Sequence, residues 1–88
     1  MTQELRGSEF AKKRYMKYDF NVYWKKHALY FGYQIQRAYH RENNKPCALY
    51  RVVVAINPDD VLIIVADSLD NIKTETKGYE LMRKEGKE

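Results

Sequence analysis

The chain has 88 residues, 44% hydrophobic and 32% charged, with a formal net charge of +4. At this length only a little more than about 60% of the unfolded surface is buried on folding, which allows one domain, residues 1–88, with one modest core. Its longest apolar run, Val61 to Ala66, is far short of the roughly 18 residues that cross a bilayer.

The opening stretch MTQELRGSEFAKKRYMK lacks an apolar signal-peptide core, and the single cysteine, Cys47, excludes an internal disulfide framework. A cytoplasmic protein away from membranes is the expectation. Charge is unevenly spread. Residues 1–46 hold ten Lys/Arg against four Asp/Glu, and residues 47–88 hold six against eight. A basic half suits anionic partners. The abundance of Lys, Tyr, Asn and Ile is a composition common among phage and mobile-element proteins.

In chain order, a short helical turn is expected near Leu5. Ser8 then caps a helix over EFAKKRYMK, with Phe10 and either Tyr15 or Met16 turned inward. Two periods compete in the aromatic stretch that follows. Trp24, Ala28, Phe31, Ile35 and Ala38 would stripe a helix, whereas Tyr18, Phe20, Val22 and Trp24, then Leu29, Phe31, Tyr33 and Ile35, alternate as strands do. Aromatic and β-branched content favours strands, and Gly32 would weaken a helix by about 1 kcal/mol relative to Ala.

Turn chemistry supports the strands. Two-residue loops at Lys26-His27, Asn43-Asn44 and Pro58-Asp59 would pair Trp24 with Leu29, Ile35 with Val52 and Val52 with Val65. Those pairings place the larger apolar set on one continuous face. The result is a four-stranded antiparallel meander over residues 18–25, 28–40, 46–57 and 60–67. A second helix follows, capped by Asp67 or Ser68, with Asp70 in its first turn and an inner stripe of Leu69, Ile72, Thr76, Tyr79 and Met82. Gly78 would bend or end this helix early, and the final RKEGKE would fray. The expected class is α+β, in the order α-β-β-β-β-α, with both helices on one sheet face.

The reverse face would then carry Asp19, Asn21, Tyr23 and Lys25, with Tyr30, Gly32, Gln34 and Gln36 beside them. Leu49, Arg51, Val53 and Ala55, then Leu62, Ile64 and Ala66, complete it. Its polar half sets Tyr23 opposite Tyr30. Exposed rings with cations and amides around them can stack unpaired bases, as an RRM sheet does, although no RNP-like segment occurs here. Candidate nucleic-acid contacts are Lys12, Lys13, Arg14, Lys17, Tyr23, Lys25, Lys26, Tyr30, Gln34, Gln36 and Arg51. A plain cross-strand Tyr pair and a solvated basic helix face would use the same letters. The apolar half, Leu49, Val53, Leu62 and Ile64, reads as a protein interface: a homodimer contact, a partner site, or a seat for the N-terminal segment.

Signals for chemistry are weak. His27 and His40 fall near turns without metal-ligand spacing, and Cys47 near His40 lacks an orienting carboxylate. Pro58-Asp59 with Glu75 and Lys77 fits the loose PD…ExK pattern of metal-dependent nucleases, but turn and cap roles explain the same residues. No Walker loop, dinucleotide fingerprint or EF-hand loop is present. The expectation is a non-enzymatic binding protein without cofactor, metal or small-molecule substrate, acting on nucleic acid or a nucleoprotein assembly. The alternatives are a protein-binding regulator or inhibitor, phage-encoded and homodimeric, and then a metal-dependent nuclease.

Overall fold

The computed structural model describes residues 2–18 and 20–85. Seven elements follow in order: β1 (Thr2–Arg6), α1 (Glu9–Tyr18), β2 (Val22–Tyr30), β3 (Tyr33–His40), β4 (Pro46–Asn57), β5 (Asp60–Ala66) and α2 (Leu69–Glu85). The class is α+β. The strands form one mixed sheet in the order β1-β5-β4-β3-β2, five strands where the pattern predicts four. β2 to β5 make the expected antiparallel meander, and β1 lies parallel to β5 with Leu5 beside Ile63. The segment around Leu5 is therefore strand, not a helical turn. A meander ending at β5 leaves that strand's outer backbone groups unpaired, and β1 supplies their partners.

The first hairpin turns at Phe31-Gly32, not at Lys26-His27. Both loop residues have positive φ, 54° and 82°, as a type I′ turn requires, and Tyr30 pairs with Tyr33. Lys26-His27 contains neither Gly nor Asn, so the strand runs straight through it. A bulge there shifts the register between Lys26 opposite Gln36 and Ala28 opposite Ile35. The pairing of Trp24 with Leu29 is thereby replaced by Trp24 with Ala38.

The second hairpin closes across residues 41–44 rather than a two-residue Asn43-Asn44 loop. His40 N–H donates to the Lys45 carbonyl (2.9 Å), and Asn44 takes φ 61°. A register shift between Arg37 and Tyr39 restores the expected partnership of Ile35 with Val52.

Pro58-Asp59 turns as its letters suggest. Asn57 Oδ1 accepts from the backbone N–H of both Asp59 and Asp60, each at 2.9 Å. A bulge at Ile56 nevertheless moves β5 by one residue, so Val52 faces Ile64 instead of Val65. One residue of slip exchanges the two faces of a strand.

That slip decides where the helices go. Ala11 and Tyr15 of α1 pack with Val22, Ala38, Cys47, Leu49, Ile63 and Val65. Ile72 of α2 packs with Ile35, Val52, Val54, Leu62 and Ile64. The helices lie on opposite faces, correcting the expectation of two helices on one side. The unbroken Val61–Ala66 run fits this arrangement, because a strand covered on both faces reads as continuously apolar. Each Leu, Ile or Val fully buried contributes about 1.5–3 kcal/mol.

Both caps form at serine. Ala11 N–H donates to Ser8 Oγ and Asn71 N–H to Ser68 Oγ, each at 3.1 Å. On α1, Tyr15 turns inward while Phe10 and Met16 stay exposed. On α2, Ile72 and Thr76 are buried and Leu69 and Tyr79 partly so. Met82 is exposed, and Gly78 does not end the helix. Asp19 and the last three residues, 86–88, lie outside the described residues.

Candidate functional site

The apolar patch expected on an open face does not exist as a surface. Leu49 and Ile64 have no exposed area and Leu62 has 2%; only Val53, at 44%, reaches solvent. The slip at Ile56 places Leu49 under α1 and Leu62 and Ile64 under α2.

The polar candidates are divided in the same way. Trp24 packs in the α1-side core, so Lys26 shares its face and Tyr23 and Lys25 occupy the other. Gln36 lies opposite Lys26 on one side and Arg51 on the other, which keeps Gln34, Gln36 and Arg51 on the α1 face. There Arg51 Nε donates to Gln36 Oε1 (2.7 Å), Gln36 Nε2 donates to Gln34 Oε1 (3.2 Å), and the Arg51 guanidinium stands 4.2 Å from the Trp24 ring. These contacts link the three side chains to one another and to Trp24. Tyr30 meets Phe31 edge-on, with Lys73 of α2 5.7 Å from its ring. It is not opposite Tyr23.

The partner of Tyr23 is Tyr39. Their rings stack at 5.7 Å between centroids and 21° between planes, and Lys25 Nζ lies 5.8 Å from one and 5.2 Å from the other. Tyr23 Oη donates to Asn44 Oδ1 (3.0 Å), which ties the pair to the β3–β4 turn. Next along the ladder, Arg37 lies opposite Lys25, its guanidinium 5.2 Å from the Tyr50 ring, and His27 meets Tyr50 edge-on at 5.5 Å. Arg37 Nε is buried without a hydrogen-bond partner. An unpaired buried donor costs about 1–3 kcal/mol, which offsets what the guanidinium gains against the Tyr50 ring.

More cations gather at the same end. Arg41 and Lys45 belong to the β3–β4 turn. Arg41 N–H donates to the Asn21 carbonyl (3.0 Å) and Asn21 N–H to the Tyr18 carbonyl (2.8 Å), so the end of α1, with exposed Lys17, adjoins that turn. Elsewhere on α1, Lys12 pairs with Glu9 (3.6 Å), Arg14 donates to the Ala48 carbonyl (3.4 Å), and Lys13 is exposed.

No protein-family model matches this chain, and no curated protein or solved structure is significantly similar to it.

Of the residues singled out from sequence, Tyr23 and Lys25 fall at this end on the α2 face, whereas Lys17, Lys26, Gln34, Gln36 and Arg51 belong to the α1 side. Arg37, Tyr39, Arg41 and Lys45 were not singled out. The pair Phe31-Gly32 carried the missing signal, because a hairpin turned there brings Tyr39 to Tyr23 and Arg37 to Lys25.

The nuclease-like letters do not converge. Asp59 sits in the β4–β5 turn, whereas Glu75 lies near Ser8, Val65 and Asp67. Among the described residues, no group of three or more His, Cys, Asp or Glu could hold a metal ion. Burial pushes the Cys47 thiol above its ordinary range, which lowers its nucleophilic fraction, and His40 packs against Tyr18. Among the described residues, no helix is long and apolar enough to cross a membrane.

Proposed function

We propose that this protein is a non-enzymatic binder of single-stranded nucleic acid, working in a reducing cytoplasm through the β2–β3 end of the α2 face. The observation that carries the reading is the stacked Tyr23–Tyr39 pair with Lys25 over both rings. Aromatic faces accept any base, each stack contributing about 1–3 kcal/mol, while neighbouring cations follow the phosphates. Lys25 supplies a point charge, and Arg37 presents a planar guanidinium suited to phosphate. Arg41 and Lys45, both exposed in the β3–β4 turn, extend the positive surface beyond the rings.

Fluorescence anisotropy with labelled single-stranded and duplex oligonucleotides, over a salt series, tests this. Neutralising about three phosphates on a single strand gives a log–log salt slope of about −2. Lys25→Ala should reduce that slope by about 0.7. Tyr39→Ala should weaken binding about tenfold at every salt concentration. Salt-independent binding, or affinity unchanged in Tyr39→Ala, would refute the reading.

A further inference from the structure

The two edges of the sheet differ. β2, at one edge, carries exposed Lys25 and Lys26 and a bulge at His27, the features that keep an edge from pairing with another chain. β1, at the other, has no lysine, proline or bulge, and its outer backbone groups face away from β5. Leu5 of this strand lines a shallow apolar hollow with Gln3, Met16 and Phe20, and the last two are 68% and 86% exposed. Glu4 and Arg6 occupy the opposite, α2 side, where Arg6 stands 5.9 Å from the Tyr79 ring. Neither has an ion-pair partner among the described residues.

We infer that β1 is a self-association edge, and that a second copy of this chain pairs with it antiparallel, Leu5 opposite Leu5 and Glu4 opposite Arg6. The sequence of β1 selects this occupant. Residues opposed in an antiparallel ladder share a face, so a two-fold axis normal to the sheet joins only positions of like parity. Centring the axis on Glu4 opposes two carboxylates, and centring it on Arg6 opposes two guanidinium groups. Centring it on Leu5 makes both charged pairs complementary and brings the two apolar hollows together. The resulting ten-stranded sheet carries both α2 faces on one side.

Sedimentation over a concentration series, with melting followed by circular dichroism as the folding control, tests the proposal. The wild-type chain should dimerise as concentration rises. Glu4→Arg and Arg6→Glu should each stay folded and lose self-association by about tenfold or more, because each opposes like charges twice. Mixed in equal amounts, the two variants should associate with each other, since every opposed pair is again complementary. A wild-type chain that is monomeric at every concentration would overturn the proposal. So would single variants that dimerise as well as the wild type, or a mixture that fails to associate.

Discussion

One substitution made at three glycines tests the architecture closely, because the same added methyl meets three different surroundings. Gly7 joins β1 to α1 at φ 148°, and a Cβ there would collide with the Val65 carbonyl oxygen and lie 3.1 Å from Val65 Cγ2. Backbone strain of about 1–3 kcal/mol adds to a similar overpacking cost, so Gly7→Ala should lose about 3–5 kcal/mol. Total stability at this size is of order 5–10 kcal/mol, and each kcal/mol shifts Tm by about 4–8 °C. A fall of at least about 12 °C is expected.

Gly32, at φ 82°, has open space where its Cβ would go, so Gly32→Ala should cost only the left-handed strain, about 1 kcal/mol. Gly78 lies within α2 with nothing near it, so Gly78→Ala should raise stability by about 1 kcal/mol. Melting of the three variants side by side by circular dichroism gives the ranking. If Gly7→Ala melts no lower than Gly32→Ala, the close approach of β1 and β5 is refuted.

Three further outcomes follow from burial and hydrogen bonding. Ile64→Asp should leave the chain unfolded at 25 °C, since it removes a fully buried side chain and places a carboxylate between the sheet and α2; a folded variant by NMR would contradict the core described above. Arg37→Met should change stability by less than about 1 kcal/mol in chemical denaturation while weakening oligonucleotide binding, and a large loss of stability would show that the arginine serves the fold. Tyr33 Oη donates to Glu80 (2.8 Å) and accepts from Arg83 (2.7 Å), so Tyr33→Phe should lose about 1–2 kcal/mol in the same assay. Burial, then the bond to Glu80, raises the Tyr33 hydroxyl above its ordinary 10.0. Its contribution is complete below that pH and is lost as pH rises through the folded value, so Tyr33→Phe should be the less alkali-sensitive protein.

Much of the framework was legible in the residues themselves. The caps at Ser8 and Ser68 are local hydrogen-bond chemistry, and so is the Asn57 turn, so a few neighbouring residues decide them. The strand character of the aromatic stretch came from its composition and its alternation. What stayed hidden were the irregularities. The bulges at His27 and Ile56 each add one unpaired residue with no compositional mark, yet the second sends Leu62 and Ile64 to the face opposite Leu49. β1 was hidden for another reason: five residues with one aliphatic side chain become strand only because β5 offers them an edge. At the candidate site, Tyr23 and Lys25 were readable from their surroundings, whereas Tyr39 and Arg37 depended on placing the turn at Phe31-Gly32.

The long reach of β1 also bears on the order of assembly. Leu5 settles beside Ile63, 58 positions away, whereas β2 through β5 join neighbours in sequence. Local contacts close quickly and distant ones slowly, so the meander is built first and the opening strip arrives last. On a ribosome that strip emerges early and must wait for nearly the whole chain before its berth exists. In the monomer, where β1 has a neighbour on one side only, its amides should exchange with solvent deuterium ahead of those between β4 and β5.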